Sequence, residues 1–319
     1  MYLKNVVLAI ACCLFSCLYA EEMPVGYYAE IDGKQDTALR TALATILNAD
    51  SVKEFKYGSG KNKTWHIFYY TDRNEADNSV EDMYSNNVRY FDTTSLFASV
   101  KGCDIEHTLP NSWWGGKAGN ATAYTDIHLL VPADFSANRS KSNMPPGYVG
   151  GKPKFDNGVM RNGMPATVGS IAYPKALSKV FEPSDEYKGD FARMYFYTAT
   201  RYERTAVAKD IKDAVLALDT ASGKFDFLPW LVQVLLEWHR LDPVSNKEMV
   251  RNNAVFEWQR NRNPYIDFPE LVEYIWGNKK GEKVVLTQLK TSFNAPETAN
   301  KTASVAENHL LPETKTTAQ

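Results

Sequence analysis

The sequence predicts an α+β protein, mostly helical, with one strand–loop–strand–helix unit set inside it. Three observations predict this. Helix-forming stretches recur along the chain, several with a start signal at their head. Two β-forming runs, one ending at Cys103-Asp104-Ile105-Glu106-His107 and one over Ile127 to Val131, flank a stretch holding Gly115, Gly116, Gly119 and Asn120. The chain has 319 residues, 44% hydrophobic and 23% charged, enough for a full core, and it shows no internal repeat.

The chain opens with a targeting pattern. Lys4 gives a positive start, Val6 to Phe15 is apolar, and Tyr19-Ala20 precedes the charged Glu21-Glu22. Residues 1–20 therefore read as a signal peptide cleaved after Ala20, which implies a secreted or periplasmic protein. The apolar run is too short for a good membrane span. Leu14-Phe15-Ser16-Cys17 leaves a second reading open, a lipoprotein anchored at Cys17. Residues 21–287 read as one continuous domain. Residues 288–319, rich in Thr, Ala, Asn, Lys and Glu, read as a polar, disordered tail.

Within the domain, Asp36 followed by Leu39, Ala42, Leu43, Ile46 and Leu47 predicts a capped amphipathic helix. Thr64 to Tyr70 is rich in β formers and predicts a strand. Asn111 to Ala123 is expected to be loop. Pro132 is expected at the start of a helix through Phe135 and Asn138. Met144 to Ala166 reads as loop, and Glu186 to Tyr202 as helix. Leu228 to Arg240 predicts a helix with Pro229 in its first turn and Leu231, Val234, Leu235 and Trp238 on one face. Ser245 and Glu248 form a capping-box pattern ahead of a helix to about Arg260.

Charge and cysteines narrow the function. Residues 1–20 hold one lysine and no acid, which leaves 35 basic and 38 acidic residues, net −3. That balance disfavours a storage or architectural nucleic-acid protein. It is compatible with an enzyme that needs only a local basic groove. Cys12, Cys13 and Cys17 lie in the signal, so the mature chain keeps only Cys103 and has no internal disulfide. Cys103 reads as a packed core cysteine.

Three pieces carry candidate chemistry. They are Glu106-His107 with Pro110 and Trp113-Trp114, then Asp126-Ile127-His128 through Pro132, then Asn138 with Lys141-Ser142-Asn143. Each has a bland explanation alone. Glu-His pairs are common on surfaces, a histidine among Ile127, Leu129 and Leu130 is usually a satisfied core residue, and Asn138 could face solvent. The adjacent tryptophans read as core packing, with base stacking as the alternative.

Together, in this order and spacing, they resemble the bacterial endonuclease I family of extracellular nucleases, which carry a ββα-metal (His-Me) finger. Further similar segments are Phe181-Glu182-Pro183, Lys188 to Arg193, Tyr195-Phe196-Tyr197, and Asn261-Arg262-Asn263-Pro264-Tyr265. The resemblance covers most of residues 25–277. It implies a sequence-nonspecific endonuclease acting on DNA, with RNA as a second candidate, and leaving a 5′-phosphate. It implies His107 as general base and one Mg²⁺ held by Glu106 and Asn138. These roles suit the chemistry. A near-neutral histidine can take a proton from water. A hard cation prefers oxygen donors, keeps several waters, and serves as Lewis acid and template.

Neighbouring residues on a regular strand point to opposite faces, so a strand end or bulge is expected at Glu106-His107. Asp126, His128 and Asn143 are implied as supporting residues that orient the loop or a metal-bound water. For Arg193 two readings stand: a catalytic phosphate clamp, or a buried ion pair with Asp190 or Glu182. The chain departs from some relatives in having no arginine between His107 and Asp126. Lys117 is the candidate phosphate-binding cation there, or a solvated lysine. Leu129 stands where relatives often have a polar residue. Three alternatives remain: a degenerate protein that binds nucleic acid without cutting it, a zinc hydrolase using His107, His128 and Glu106, and a surface-anchored structural protein. No stable protein partner is implied.

Overall fold

The computed structural model describes residues 23–204, 215–219 and 224–292. The expected signal peptide and the expected disordered tail beyond residue 292 lie outside the described residues. Helix α1 (Asp36–Leu47) forms where expected and buries Leu39, Leu43 and Leu47. Its start differs in detail. Asp36 is the first helical residue and caps nothing; its carboxylate instead accepts from the Gly281 N–H at 2.8 Å.

Thr64–Thr71 is helix α2, not a strand. Its β-forming composition is overridden by packing: Trp65, Ile67 and Phe68 join a cluster with Phe91, Val100, Ile127, Leu130 and Val255.

Strand β1 (Cys103–His107) pairs antiparallel with β2 (Leu130–Asp134), with Glu106 opposite Val131 and His107 opposite Leu130. Helix α3 (Phe135–Lys141) follows directly. The second strand thus starts later than the sequence suggests, and Pro132 sits inside it opposite Ile105 rather than opening the helix. A two-stranded ladder tolerates proline because each strand keeps a free edge. Asp134 starts α3 instead, its carboxylate accepting from the Ser136 and Ala137 N–H groups at 2.8 and 2.9 Å. The connection between the strands holds short helical turns over Asn111–Trp114, Gly116–Gly119 and Ala121–Thr125.

The expected loop at 144–166 contains β3 (Phe155–Asp156) and β4 (Met160–Gly163), which form a small antiparallel sheet with β5 (Val180–Pro183). Helix α4 (Lys188–Arg201) runs through the centre of the molecule, and all 14 of its residues are buried. Burial on every side is unusual for a helix with this many polar residues. Most of its polar groups are accordingly satisfied: Thr198 and Thr200 donate back to the Met194 and Phe196 carbonyls, and both arginines are ion-paired, while burial and the nearby Glu248 raise the Asp190 carboxyl well above its ordinary value.

Strands β6 (Leu216–Asp219) and β7 (Lys224–Phe227) form a hairpin-like pair. Helix α5 (Pro229–Leu241) then packs along α4 with Leu231, Val234, Leu235 and Trp238 buried, as its pattern predicts. Helix α6 (Asn246–Gln259) begins with the predicted capping box, Ser245 Oγ accepting from Glu248 N–H and Glu248 from Ser245 N–H. No helix among the described residues is long and apolar enough to cross a membrane.

Candidate active site

The end of β1 presents Glu106 and His107 on opposite sides of the strand, as alternation requires. His107 turns toward the connection between β1 and β2 and is only 4% exposed. Its Nε2 lies 2.9 Å from the Tyr124 carbonyl oxygen. A carbonyl only accepts, so Nε2 carries the proton and the neutral ring keeps its lone pair on Nδ1. Nδ1 faces the Asn111 amide nitrogen at 3.3 Å. The Tyr57 ring lies parallel to the imidazole, with centroids 5.8 Å apart and planes 7° apart, and Tyr124 packs at 4.7 Å. Burial lowers the His107 pKa to about 4, so the ring is a free base at neutral pH.

Glu106 turns toward α3. Lys141, wholly buried, donates to its Oε1 at 2.6 Å and lies over the Tyr84 and Phe181 rings. Burial lifts the Glu106 carboxyl above its ordinary value, with Lys141 opposing that rise. Asn138 is one turn back from Lys141 on α3, so the two side chains share a helix face. Asn138 is half-buried, and among the described residues its side-chain amide has no hydrogen-bond partner. The site thus offers the Glu106 carboxylate, held on Oε1 by Lys141, and the amide oxygen of Asn138. Two oxygen donors suit a hard cation that keeps several waters.

Asp126 and His128 are tied to the interior instead. The fully buried Asp126 carboxylate accepts from Tyr197, Arg201, Tyr202 and Gln259 at 2.8, 2.6, 2.8 and 2.6 Å. Burial opposes its charge, but Arg201 and these donors hold its pKa below the ordinary value. His128 Nε2 bonds the Asn261 carbonyl at 3.1 Å, and burial lowers its pKa to about 4. These residues fasten the start of β2 and the loop before it to α4 and to the segment after α6. The zinc reading fails on this geometry. His128 is bound elsewhere, and among the described residues no group of three or more His, Cys, Asp or Glu side chains could hold a metal.

Arg193 requires a correction. It is 0% exposed, and its Nε and Nη2 donate to the Glu248 carboxylate at 2.5 and 2.7 Å, with Nη1 on the Asp242 carbonyl at 2.8 Å. A guanidinium with no exposed surface cannot clamp a substrate phosphate. The ion-pair reading applies, with Glu248 as partner rather than Asp190 or Glu182. Lys117 and Asn143 are exposed. Trp113 and Trp114 are buried in the main core, which rules out base stacking by them. Burial pushes the unpaired Cys103 thiol to about 12, so it is not a reactive nucleophile.

Four contributors escaped the sequence: the Tyr124 carbonyl, Asn111, Tyr57 and the Lys141 ammonium. A backbone carbonyl leaves no residue-type signal. Lys141 stood in a recognised motif without a role. Tyr57 sits in a run where lysines alternate with aromatics, which was a readable signal.

An imidazole with a free lone pair at the end of β1, with a carboxylate on the neighbouring residue and an amide on the helix that follows β2, gives this unit groups suited to hydrolytic acid–base chemistry. Comparison with known proteins agrees. A family model described as Endonuclease I matches residues 36–270. The extracellular ribonuclease of Bacillus amyloliquefaciens is 35% identical over 258 residues, covering 78% of each chain. That of Bacillus subtilis (strain 168) is 31% identical over 257 residues, again 78% of each. Endonuclease-1 of Buchnera aphidicola is 26% identical over 148 residues, 44% of this chain and 46% of its own. The chain belongs to the endonuclease I family, a family of nucleases.

Proposed function

We propose that the protein is an exported, Mg²⁺-dependent, sequence-nonspecific endonuclease in which β1, β2 and α3 form a ββα-metal finger. The observation that carries this reading is the fixed tautomer of His107. Tyr124 holds Nε2–H, which leaves Nδ1 as the base that takes a proton from the attacking water. Asn111, at 3.3 Å from Nδ1, holds the ring in register and yields that position to the water. Glu106 and Asn138 would hold Mg²⁺, which supplies Lewis acidity toward the phosphate and the leaving 3′ oxygen. Lys141 fixes Oε1 of Glu106 and so holds the carboxylate in one orientation. The product is a 5′-phosphate.

Phosphate-directed chemistry carries no base information, which accounts for low sequence specificity. Two relatives are named extracellular ribonucleases. Their names support export of this chain and support RNA as the second candidate substrate.

The test is cleavage of plasmid DNA and of a structured RNA by the purified protein, with Mg²⁺, with chelator, and with His107→Ala. Magnesium-dependent cleavage lost in the variant supports the reading. Cleavage that survives His107→Ala overturns the base assignment. Binding without cleavage by the folded wild type would leave a protein that holds nucleic acid without cutting it.

A further inference from the structure

Residues 53–63 carry four lysines, Lys53, Lys56, Lys61 and Lys63, against one acid, Glu54, in a chain of net charge −2. Most lysine runs merely keep a surface hydrated. Three features set this one apart.

The first is placement. Tyr57, in the middle of the segment, stacks on His107, and its hydroxyl donates to the Ile105 carbonyl at 3.1 Å. Glu54 accepts from the Thr122 hydroxyl at 2.5 Å, in the same connection that supplies the Tyr124 carbonyl. The segment is therefore one wall of the candidate active site. The second is rigidity. Lys53 N–H bonds the Gln259 carbonyl and Gly60 N–H the Phe97 carbonyl, while Thr64 and Trp65 N–H groups bond the Lys56 and Gly58 carbonyls. Gly58 and Gly60 take φ of 103° and 121°, which lets the chain turn back between these anchors. The third is availability. Lys53, Lys56 and Lys61 are exposed, Lys63 is half-buried, and among the described residues none of the four is in a salt bridge.

We propose that segment 53–63 is the ridge that binds the backbone phosphates of a single-stranded polynucleotide beside the cleaved link. The proposal rests on the nuclease reading and names the substrate form that the site takes. Lysines meet phosphates as point charges, without reading bases. The 37% exposed Tyr57 ring, on the same ridge, offers a face to an unpaired base, which favours a single strand over a duplex. A fixed basic wall resolves how a protein with an excess of acids holds a polyanion.

The test uses a fluorescent oligothymidylate, free or paired with oligoadenylate, titrated with purified protein in chelator at several salt concentrations. The variant carries K53Q, K56Q, K61Q and K63Q together, with the four lysine-to-arginine changes as a control. Each lost phosphate contact lowers the slope of log affinity against log salt by about 0.7, so the glutamine variant should lose up to about 3 from the slope, and about tenfold or more in affinity at physiological salt. The arginine control should bind like wild type, and Mg²⁺-supported hydrolysis of bis(p-nitrophenyl) phosphate should be unchanged in both.

An unaltered slope and affinity in the glutamine variant would overturn the proposal. So would a parallel loss of small-diester hydrolysis, since the segment would then act on the reacting groups. Tighter binding of the duplex would overturn the single-strand assignment. Failure of the nuclease reading shows separately, as a wild type that hydrolyses neither diester nor polymer, while binding in chelator still reports on the ridge.

Discussion

Lys141 Nζ lies 2.6 Å from Glu106 Oε1, and the two side chains are 0% and 10% exposed. A buried ion pair therefore sits on the carboxylate proposed to hold the metal. Breaking such a pair from one side leaves an uncompensated charge, which costs about 3–5 kcal/mol. Lys141→Ala is expected to lower stability in urea unfolding by that order. The double change Glu106→Gln with Lys141→Met should recover much of the loss, because no buried charge remains. A double variant no more stable than Lys141→Ala would show that the pair's worth lies in packing rather than charge.

Arg193 gives the sharpest contrast between structural and catalytic readings. Arg193→Met leaves Glu248 buried without its partner, so a loss of about 3–5 kcal/mol is expected in denaturant unfolding. Activity per folded molecule should stay within about twofold of wild type, since the side chain reaches no substrate. A large fall in kcat in a variant still folded at the assay temperature would restore the clamp.

Stability should fall on acidification. Burial lowers His128 to about 4, and burial together with Arg193 lowers His239 to about 3. The unfolded chain binds these protons near 6.5 and the folded chain does not. Stability is therefore fully present above 6.5 and is lost as pH drops toward the folded values. Each histidine should cost about 2 kcal/mol at pH 5. Urea unfolding at pH 7 and pH 5 measures this, and His239→Gln should flatten the dependence. An unchanged midpoint across that range would contradict the burial of both rings.

Metal binding can be read without turnover. Mn²⁺ titrated into chelator-treated protein should bind to one site by electron paramagnetic resonance. Glu106→Gln and Asn138→Ala should each weaken it by about 10-fold or more, in keeping with the loss of one of two protein ligands. Chelator should abolish cleavage in the wild type. Unaltered affinity in both variants would remove Glu106 and Asn138 as ligands.

Legibility in the sequence depended on how local the determining physics was. The capping box at Ser245 and Glu248 and the apolar stripe of α5 are local, and the structure has both. Thr64–Thr71 departs from its strand-forming composition because its residues are held helical by a distant helix, α6, through Val255. Pro132 lies in β2 rather than at a helix start because its start-of-helix preference yields to the β1 pairing. The recognised motif brought Glu106, His107 and Asn138 to adjoining elements of one unit. It could not tell that Arg193 faces Glu248. Glu248 was legible as a cap, yet the same carboxylate also answers Arg193, 55 residues away. The lysine ridge escaped because only the Tyr57 stack shows that it borders the site.

The loop behind His107 is fastened by a late part of the chain. Asp126 meets Gln259, and His128 meets Asn261, each across 133 residues. Contacts of such separation form only after the intervening chain has emerged and collapsed. During synthesis, the carbonyl that orients His107 belongs to a segment still lacking its anchor. The groups around His107 therefore take their final places only when residues 259–261, late in the chain, dock against the loop.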